Sequence, residues 1–156
     1  MKKILILIFM LSLAPITSVA QRVKPSEHSR QVNYVSEAKG QVTVRSIGWG
    51  KKDAPALADA ELRAVETILF VGLPEAQKHG AMVANESQAR SNNKMFFNEL
   101  LDGQGYKRFV MNSTAKGKLS KQKGAKMKSM PVDVTINTNA LKKYLEQNDI
   151  IRGFGF

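Results

Sequence analysis

The sequence predicts a small α+β domain, in which a sheet of three or more strands carries two main helices packed on one face. Three observations lead to that prediction. Val132, Val134 and Ile136 alternate with polar residues, which is typical of a strand. Apolar residues recur at helical spacing after Asp53. With 156 residues and 43% hydrophobic content, the chain suits one globular core.

The first strand is predicted around Val42 and Val44, which alternate with polar neighbours, and it is expected to end near Ile47. Residues 48–50, Gly-Trp-Gly, are interpreted as a tight turn that breaks the strand, because glycine supplies backbone freedom there. A lone tryptophan in a small domain usually packs inside, so we place Trp49 in the core in preference to an exposed contact.

A long helix is predicted from about Asp53, with Pro55 tolerated in its first turn. Gly72 and Pro74 end it. Its alanine-rich apolar stripe allows the helix to lie close to a sheet. The stripe comprises Ala54, Leu57, Ala58, Leu62, Val65, Ile68 and Leu69, and the opposite side carries Asp59, Arg63 and Glu66.

Glu61 is the one carboxylate near the middle of that stripe. If it is buried it needs a positive partner, and Arg45 and Arg108 are the candidates. We prefer the simpler interpretation, in which its stem lies along the sheet and its carboxylate reaches water.

The next predicted helix is short and runs from Lys94 to Leu101, with Asn92 or Asn93 as its cap and Gly103 at its end. The residues that precede it, 75–93, are polar and carry no assignment. Its buried side is predicted to comprise Met95, Phe96, Leu100 and Leu101.

A second strand is predicted to begin within Tyr106–Val110, and the alternating residues 132–136 form a third. Asn137 or Thr138 caps the last helix. Its apolar stripe comprises Leu141, Tyr144 and Leu145.

The first twenty residues have the layout of a secretory signal peptide. Lys2 and Lys3 precede an apolar run, Ile4–Ile16, and the small residues Ser18 and Ala20 mark a cleavage site after Ala20. The run is shorter than a membrane-spanning helix needs, which disfavours an uncleaved anchor. We therefore expect an exported protein, periplasmic or secreted, that is not transmembrane after cleavage.

We predict a signal peptide at 1–20, a flexible lead-in at 21–39, and a single α+β domain at 40–156 with a basic loop or ribbon at 112–130. The formal charge is +11, and removal of the signal peptide leaves +9. From Gly103 to Pro131 there are eight basic residues and no Asp or Glu. The rest of the mature chain is therefore nearly neutral, and the charge is concentrated in one segment.

Six lysines of this segment are the candidate anion-binding or partner-binding residues. They form three pairs, Lys116 with Lys118, Lys121 with Lys123, and Lys126 with Lys128. On an extended backbone a spacing of two places both members of a pair on one face, so the pattern predicts a projecting β-ribbon or a mobile loop. The functional interpretation is attraction to phospholipid head groups, lipopolysaccharide phosphates, teichoic-type polymers or an acidic protein patch. The alternative is a solvated loop that keeps an edge strand from pairing with neighbours.

The sequence lacks the usual patterns of catalytic, metal and cofactor sites. It contains no Cys, and neither His28 nor His79 has a partner at metal-ligand spacing. No serine lies in a Gly-x-Ser-x-Gly elbow, and Asp53 stands where a dinucleotide fingerprint needs its third glycine. The lysine segment contains no aromatic residue for stacking on bases. We therefore expect no enzymatic activity, no cofactor, no metal and no nucleic-acid partner.

The sequence also resembles a known family. A strand that leads into residues 48–50, followed by a helix with Ala54, Asp59-Ala60 and Ala64-Val65, resembles the N-terminal-type domain of flagellar assembly protein T and the related small bacterial surface lipoproteins. Those domains also close with a valine-rich strand feeding a Leu-x-x-x-Leu helix, here Leu141–Leu145. The resemblance implies an α+β fold and a cell-envelope role without a catalytic site; it does not imply a flagellum. The lipobox cysteine of the lipoproteins is missing.

Two functions from different classes follow from these observations. The first is an exported, non-enzymatic envelope assembly or scaffold module that acts by protein–protein contact through a sheet edge or a helix groove. The alternative is an adaptor that binds anionic envelope polymers or head groups through Lys116–Lys128. Salt separates the two, because lysine-driven binding weakens at high ionic strength while apolar contacts persist.

Overall fold

The computed structural model describes residues 32–73, 79–121 and 123–152, and it confirms the predicted α+β fold. The described residues form a five-stranded antiparallel sheet, a second sheet of two short strands, and four helices. The predicted signal peptide, residues 1–20, lies outside the described residues.

The described strands are β1 (Val32–Ala38), β2 (Gln41–Gly50), β3 (Gly72–Leu73), β4 (His79–Gly80), β5 (Val110–Ala115), β6 (Ser120–Lys121) and β7 (Lys128–Asn137). The helices are α1 (Asp53–Phe70), α2 (Glu86–Asn92), α3 (Lys94–Phe97) and α4 (Thr138–Gln147), with a π-helical turn at Asn98–Asp102 and a 3-10 turn at Gly105–Phe109. The main sheet has the order β1-β2-β7-β5, and β6 pairs with the beginning of β7.

The sheet is built around β2 and β7, which pair antiparallel from Gln41 opposite Asn137 to Gly50 opposite Lys128. Side chains alternate between the two faces along each strand, so every second residue points toward α1. On that face the valines and isoleucine that the alternation predicted are fully buried: Val42, Val44, Val132, Val134 and Ile136. We call the opposite face of β2 and β7 the back face.

The prediction that β2 ends near Ile47 is wrong, because the strand continues through Gly50. Gly48 and Gly50 are buried strand residues rather than parts of a turn. A β-carbon at Gly48 would collide with the backbone carbonyl of Ala56 in α1. The glycines therefore allow the helix backbone to approach the strand closely.

Helix α1 occupies the predicted position, but its predicted buried stripe is wrong in the first half of the helix. Val65, Ile68 and Leu69 are buried as expected. Before Val65, the fully buried residues are Ala56, Ala60 and Ala64, whereas Ala54 is exposed and Leu57, Ala58 and Leu62 are half-buried. The sheet selects the alanines because only a small side chain fits where the helix lies against Gly48.

Arg63 is also buried, although the sequence placed it on the charged outer side of α1. Its Nε donates to Asp59 Oδ2 at 2.7 Å, and its Nη2 donates to Asp59 Oδ1 at 3.1 Å. A buried guanidinium needs such a partner, and one helical turn places the carboxylate within reach.

Strand β1 corrects the predicted flexible lead-in, because residues 32–38 pair with β2. The two strands are joined at Lys39 and Gly40, whose φ angles are 51° and 76°. Two successive positive φ values are the signature of the tight two-residue turn that fits the twist of a hairpin. Val32, Tyr34 and Val35 were the available signal for this edge strand, although the stretch 21–39 as a whole is polar. Residues 21–31 of the lead-in lie outside the described residues.

The short helix predicted from Lys94 to Leu101 is divided into α3 and the π-helical turn at Asn98–Asp102. Leu100 and Leu101 are buried as predicted, but Met95 is 87% exposed and Phe97 is buried in its place. Phe97, Leu100 and Leu101 have the i, i+3, i+4 spacing of one helix face, and Met95, two residues before Phe97, lies on the opposite side.

The second predicted strand begins later than expected, since Tyr106 and Phe109 lie in the 3-10 turn and β5 starts at Val110. Helix α4 matches its prediction. The side chain of Asn137 accepts a hydrogen bond from the Ala140 N–H and caps the helix, and Leu141 and Leu145 are buried. Within the unassigned stretch 75–93, the structure adds β4 and the helix α2, which Asn85 caps.

Candidate anion-binding groove

Part of the lysine segment forms a short antiparallel ribbon. The backbone N–H of Lys116 donates to the carbonyl of Pro131 at 2.8 Å, which extends the pairing of β5 with β7 by one residue. Farther along, Ser120 and Lys121 pair with Ser129 and Lys128. Hydrogen bonds to β7 therefore hold this part of the segment at the edge of the main sheet.

An open groove of about 1050 Å³ lies between this ribbon and the beginning of α1. Its charged lining consists of four lysines and one aspartate: Lys51, Lys52, Lys118, Lys128 and Asp53. Its apolar lining includes Ala54, Leu57, Ala115, Leu119 and Met130. We call this site the lysine groove.

The pairing of β2 with β7 explains why lysines from distant parts of the sequence meet. Gly50 lies opposite Lys128, so Lys51 and Lys52, which follow Gly50 directly, lie beside the ribbon. Lys52 is also the N-cap residue of α1 and makes no side-chain capping hydrogen bond. The groove therefore includes the positive end of an 18-residue helix dipole in addition to the lysine charges.

Lys121 lies directly opposite Lys128 across the ribbon. Like charges at directly opposed positions destabilise a strand pair, so this arrangement favours an anion nearby. Among the residues that the structure describes, Lys118, Lys121 and Lys128 make no ion pair with an acidic side chain.

Lys116 does not belong to the groove, because it lies on the back face of the sheet. Its Nζ is 3.5 Å from Asp133 Oδ2. The same carboxylate accepts hydrogen bonds from Arg45 Nε at 2.7 Å and from Arg45 Nη2 at 3.0 Å. The bonds from Arg45, together with the charge of Lys116, hold the pKa of Asp133 below its usual range, and Asp133 raises the pKa of Arg45. The structure thus separates one predicted site residue from the others.

The six predicted lysines therefore fall into three groups. Lys118 and Lys128 line the groove, and Lys121 faces Lys128 from β6. Lys123 and Lys126 are exposed in the connection between β6 and β7, and Lys116 is on the back face. Sequence reasoning missed Lys51 and Lys52. The available signal was two adjacent lysines between a strand and the start of a long helix.

Glu61 lies outside the groove lining, and its partner is neither of the two predicted arginines. Its Oε1 accepts a hydrogen bond from Ser113 Oγ at 2.7 Å. Arg45 pairs with Asp133, and Arg108 lies near Glu99. Glu61 therefore links α1 to Ser113 of β5, and Ser113 is part of the groove lining.

Trp49 lies on the back face, and the prediction that it packs in the core is wrong. It is half-buried, between the buried residues Gly48 and Gly50 that face α1. Its backbone N–H donates to Asp59 Oδ2 at 2.9 Å, which ties the end of β2 to α1. Its ring nitrogen is buried and makes no hydrogen bond.

Tyr106 is buried in the 3-10 turn before β5, contacts α1 and lies outside the groove lining. Its hydroxyl donates to the carbonyl of Ala58 at 3.2 Å. Burial, with the nearby carboxylates of Glu61, Asp59 and Glu66, raises its pKa to about 12. The group is therefore a neutral structural donor at neutral pH.

Within residues 32–73, 79–121 and 123–152, no three His, Cys, Asp or Glu side chains gather in a cluster that could hold a metal ion. His28 and the side chain of His79 are outside the described part of the chain. No helix among the described residues is long and apolar enough to cross a membrane.

Comparisons of the chain with protein-family models, with curated proteins and with solved structures found no match. The resemblance to the flagellar assembly protein T domain therefore stays a prediction.

Proposed function

We propose that this protein is an exported, non-enzymatic envelope protein that binds anionic polymers or head groups through the lysine groove. The observation that carries the proposal is the concentration of four lysines, contributed by the start of α1, the ribbon and β7, around one open groove with a single acidic residue. Such a cluster attracts phosphate-bearing or carboxylate-bearing ligands, and the attraction adds to that of the helix dipole.

The comparison between Lys116 and the groove lysines supports this choice of site. On the back face, Asp133 lies beside Lys116 and offsets its charge. Lys118 and Lys128 have no such neighbour within the described residues. Their charge is therefore available to a ligand.

The proposal predicts a loss of binding when groove lysines are neutralised. We would measure the Kd of sodium polyphosphate by isothermal titration calorimetry with the wild type and with the double variant Lys118→Gln, Lys128→Gln. At about 1 kcal/mol per lysine near an anionic ligand, the double variant is expected to bind roughly 30-fold more weakly. Raising the salt from low to moderate concentration is expected to weaken wild-type binding and to reduce the difference between the two proteins.

The matched control is the double variant Lys107→Gln, Lys143→Gln. Both residues are exposed and lie outside the groove lining, so the control changes the net charge by the same amount. Equal weakening in the two double variants would mean that net charge, rather than the groove, binds the polymer. An absence of wild-type binding at low salt would reject the proposed function.

Protein–protein contact through a sheet edge is the alternative function. Strand β1 lies at one edge of the main sheet, and Val35 within it is 41% exposed. A defined envelope protein that stays bound to the wild type and to the groove variant at high salt would support this alternative.

A further inference from the structure

We infer that the ligand of the lysine groove is an amphiphile, a single-chain lipid whose phosphate head lies among the lysines and whose hydrocarbon chain lies on the apolar floor. This inference rests on the proposed function and adds the chemical class of the ligand.

The floor of the lysine groove is apolar. Leu57 comes from α1, Leu119 from the lysine segment and Met130 from β7, so three separate elements supply apolar surface to one groove. Met130 is almost fully buried, and Leu57 and Leu119 are half-buried against the core. The floor is therefore a continuation of the hydrophobic core at the surface.

Leu119 is an apolar residue within the lysine segment. It follows Lys118 directly and is the one large aliphatic residue between Lys116 and Lys128 apart from Met127. Leu119 packs against the core, and its partly exposed side also lines the groove. Lys118 and Leu119 thus place a charged and an apolar side chain next to each other in the groove.

The groove also has room for more than a phosphate group. A volume of about 1050 Å³ is far larger than a free phosphate requires. Because the groove is open to solvent, this volume shows only that a ligand longer than phosphate has room there. Lysines around an apolar floor match a ligand with one anionic head and one hydrocarbon chain.

The test uses alkyl phosphates of different chain length with the whole chain as purified. Binding of octyl phosphate, butyl phosphate and inorganic phosphate, each below its micelle-forming concentration, would be measured by titration calorimetry, with octyl glucoside as the uncharged ligand. Each methylene that leaves water is expected to tighten binding about fourfold, so octyl phosphate should bind at least tenfold more tightly than butyl phosphate. Octyl glucoside should bind at least tenfold more weakly than octyl phosphate.

Matched variants locate the binding site. The double variant Leu57→Ser, Leu119→Ser is expected to bring the octyl-to-butyl ratio close to one. The control variant Val71→Ser, Met111→Ser replaces two exposed apolar residues outside the groove and should leave the ratio unchanged. If the groove variant does not fold, as judged by circular dichroism, the wild-type chain-length series decides the matter.

The outcomes separate the inference from the proposed function. If polyphosphate binds but octyl and butyl phosphate bind equally well, or if octyl glucoside matches octyl phosphate, the ligand is not an anionic amphiphile and the inference is overturned, while the groove remains an anion site. An unchanged chain-length ratio in the folded Leu57, Leu119 variant also overturns it. If no phosphate compound binds, the proposed function fails together with the inference.

Discussion

The two faces of the sheet differ in whether an acidic side chain lies beside their basic residues. On the back face, Arg45 and Lys116 converge on one carboxylate, Asp133. On the side of α1, Lys121 and Lys128 lie directly opposite each other on the ribbon. The lysines of a single basic segment are thus divided between a face where they are neutralised and a groove where they are not.

This difference shows that the net charge of a segment does not locate a binding site, because the direction of each side chain decides which lysines lie together. Lys116 and Lys118 are two residues apart, a spacing that places them together on a regular strand. The strand pairing is interrupted after Lys116, which bonds to Pro131, and resumes along β7 only at Ser120, opposite Ser129. Lys118 consequently lines the groove while Lys116 contacts Asp133.

The largest expected effect concerns the close packing on the side of α1. Gly48→Ala would drive a β-carbon into the carbonyl of Ala56 and is expected to lower the free energy of unfolding by about 3 kcal/mol. Gly117→Ala is the control, because its β-carbon would meet only the Pro131 ring, at 3.2 Å. Urea unfolding should show a loss below about 1 kcal/mol for the control. Equal midpoints for the two variants would contradict the close approach of α1 to the sheet.

The next effect concerns the contact of Tyr106 with α1. Tyr106→Phe removes the hydrogen bond to Ala58 and is expected to cost about 1 kcal/mol at neutral pH. The pKa of Tyr106 is raised to about 12, above its value near 10 in an unfolded chain. Its contribution is therefore complete below about pH 10 and is lost as the pH rises through about 12.

Urea unfolding of the wild type and Tyr106→Phe at pH 7, 9 and 11 tests this behaviour. The difference between the two proteins should be constant up to pH 9 and should shrink by pH 11. A difference that does not change over this range would show that Tyr106 ionises equally in the folded and unfolded chain.

A smaller effect is expected on the back face. Asp133→Asn removes the ion pairs with Arg45 and Lys116 and should lower the free energy of unfolding by about 0.5–1 kcal/mol, since Arg45 is 46% exposed and water screens the pair. The pKa of Asp133 is lowered in the folded state. The stabilisation is therefore present above the unfolded pKa of about 4 and is lost as the pH falls through the lower folded value.

Unfolding of the wild type and Asp133→Asn at pH 7, 5 and 3 measures that dependence. The two proteins should converge toward the acid end. Lys116→Gln removes only the longer of the two ion pairs and should cost less than Asp133→Asn at pH 7. A larger loss for Lys116→Gln would mean that Arg45 is not the main partner of the carboxylate.

The smallest effect has the opposite sign. Lys121→Glu turns a like-charge pair with Lys128 into an attractive one and is expected to stabilise the protein by about 0.2–1 kcal/mol. It should also weaken polyphosphate binding. Lys123→Glu makes the same charge change in the connection between β6 and β7 and should leave stability within about 0.5 kcal/mol of the wild type. Thermal unfolding at low salt would compare the two variants, and an equal gain in both would mean that the pairing of Lys121 with Lys128 is not the cause.

The fold was predictable where each local pattern agreed with its surroundings. The alternation in β7 and the Asn137 cap of α4 predicted their elements correctly. The first half of α1 was not predictable by hydrophobicity, because space beside Gly48 favours Ala56 and Ala60 over the larger Leu57 and leaves Leu57 at the groove. Packing constraints of this kind arise only when two elements meet.

The candidate site was predicted in part. The sequence identified Lys118 and Lys128 because they lie in a visibly basic segment. It missed Lys51 and Lys52, since nothing in the local sequence connects them with residues some seventy positions later. Only the register of β2 with β7 brings the two groups together, and a strand register across so long a separation is not encoded in either segment alone.

That register also governs when the groove can exist during folding. The β1–β2 hairpin and the contact of Asp59 with the backbone of Trp49 join residues close in the chain, so they can form early. The pairing of Gly50 with Lys128 closes a long loop and carries its entropic cost, so the walls of the groove meet late. A ligand that bridges those walls binds only the completed fold, and its concentration would then raise the apparent melting temperature by mass action.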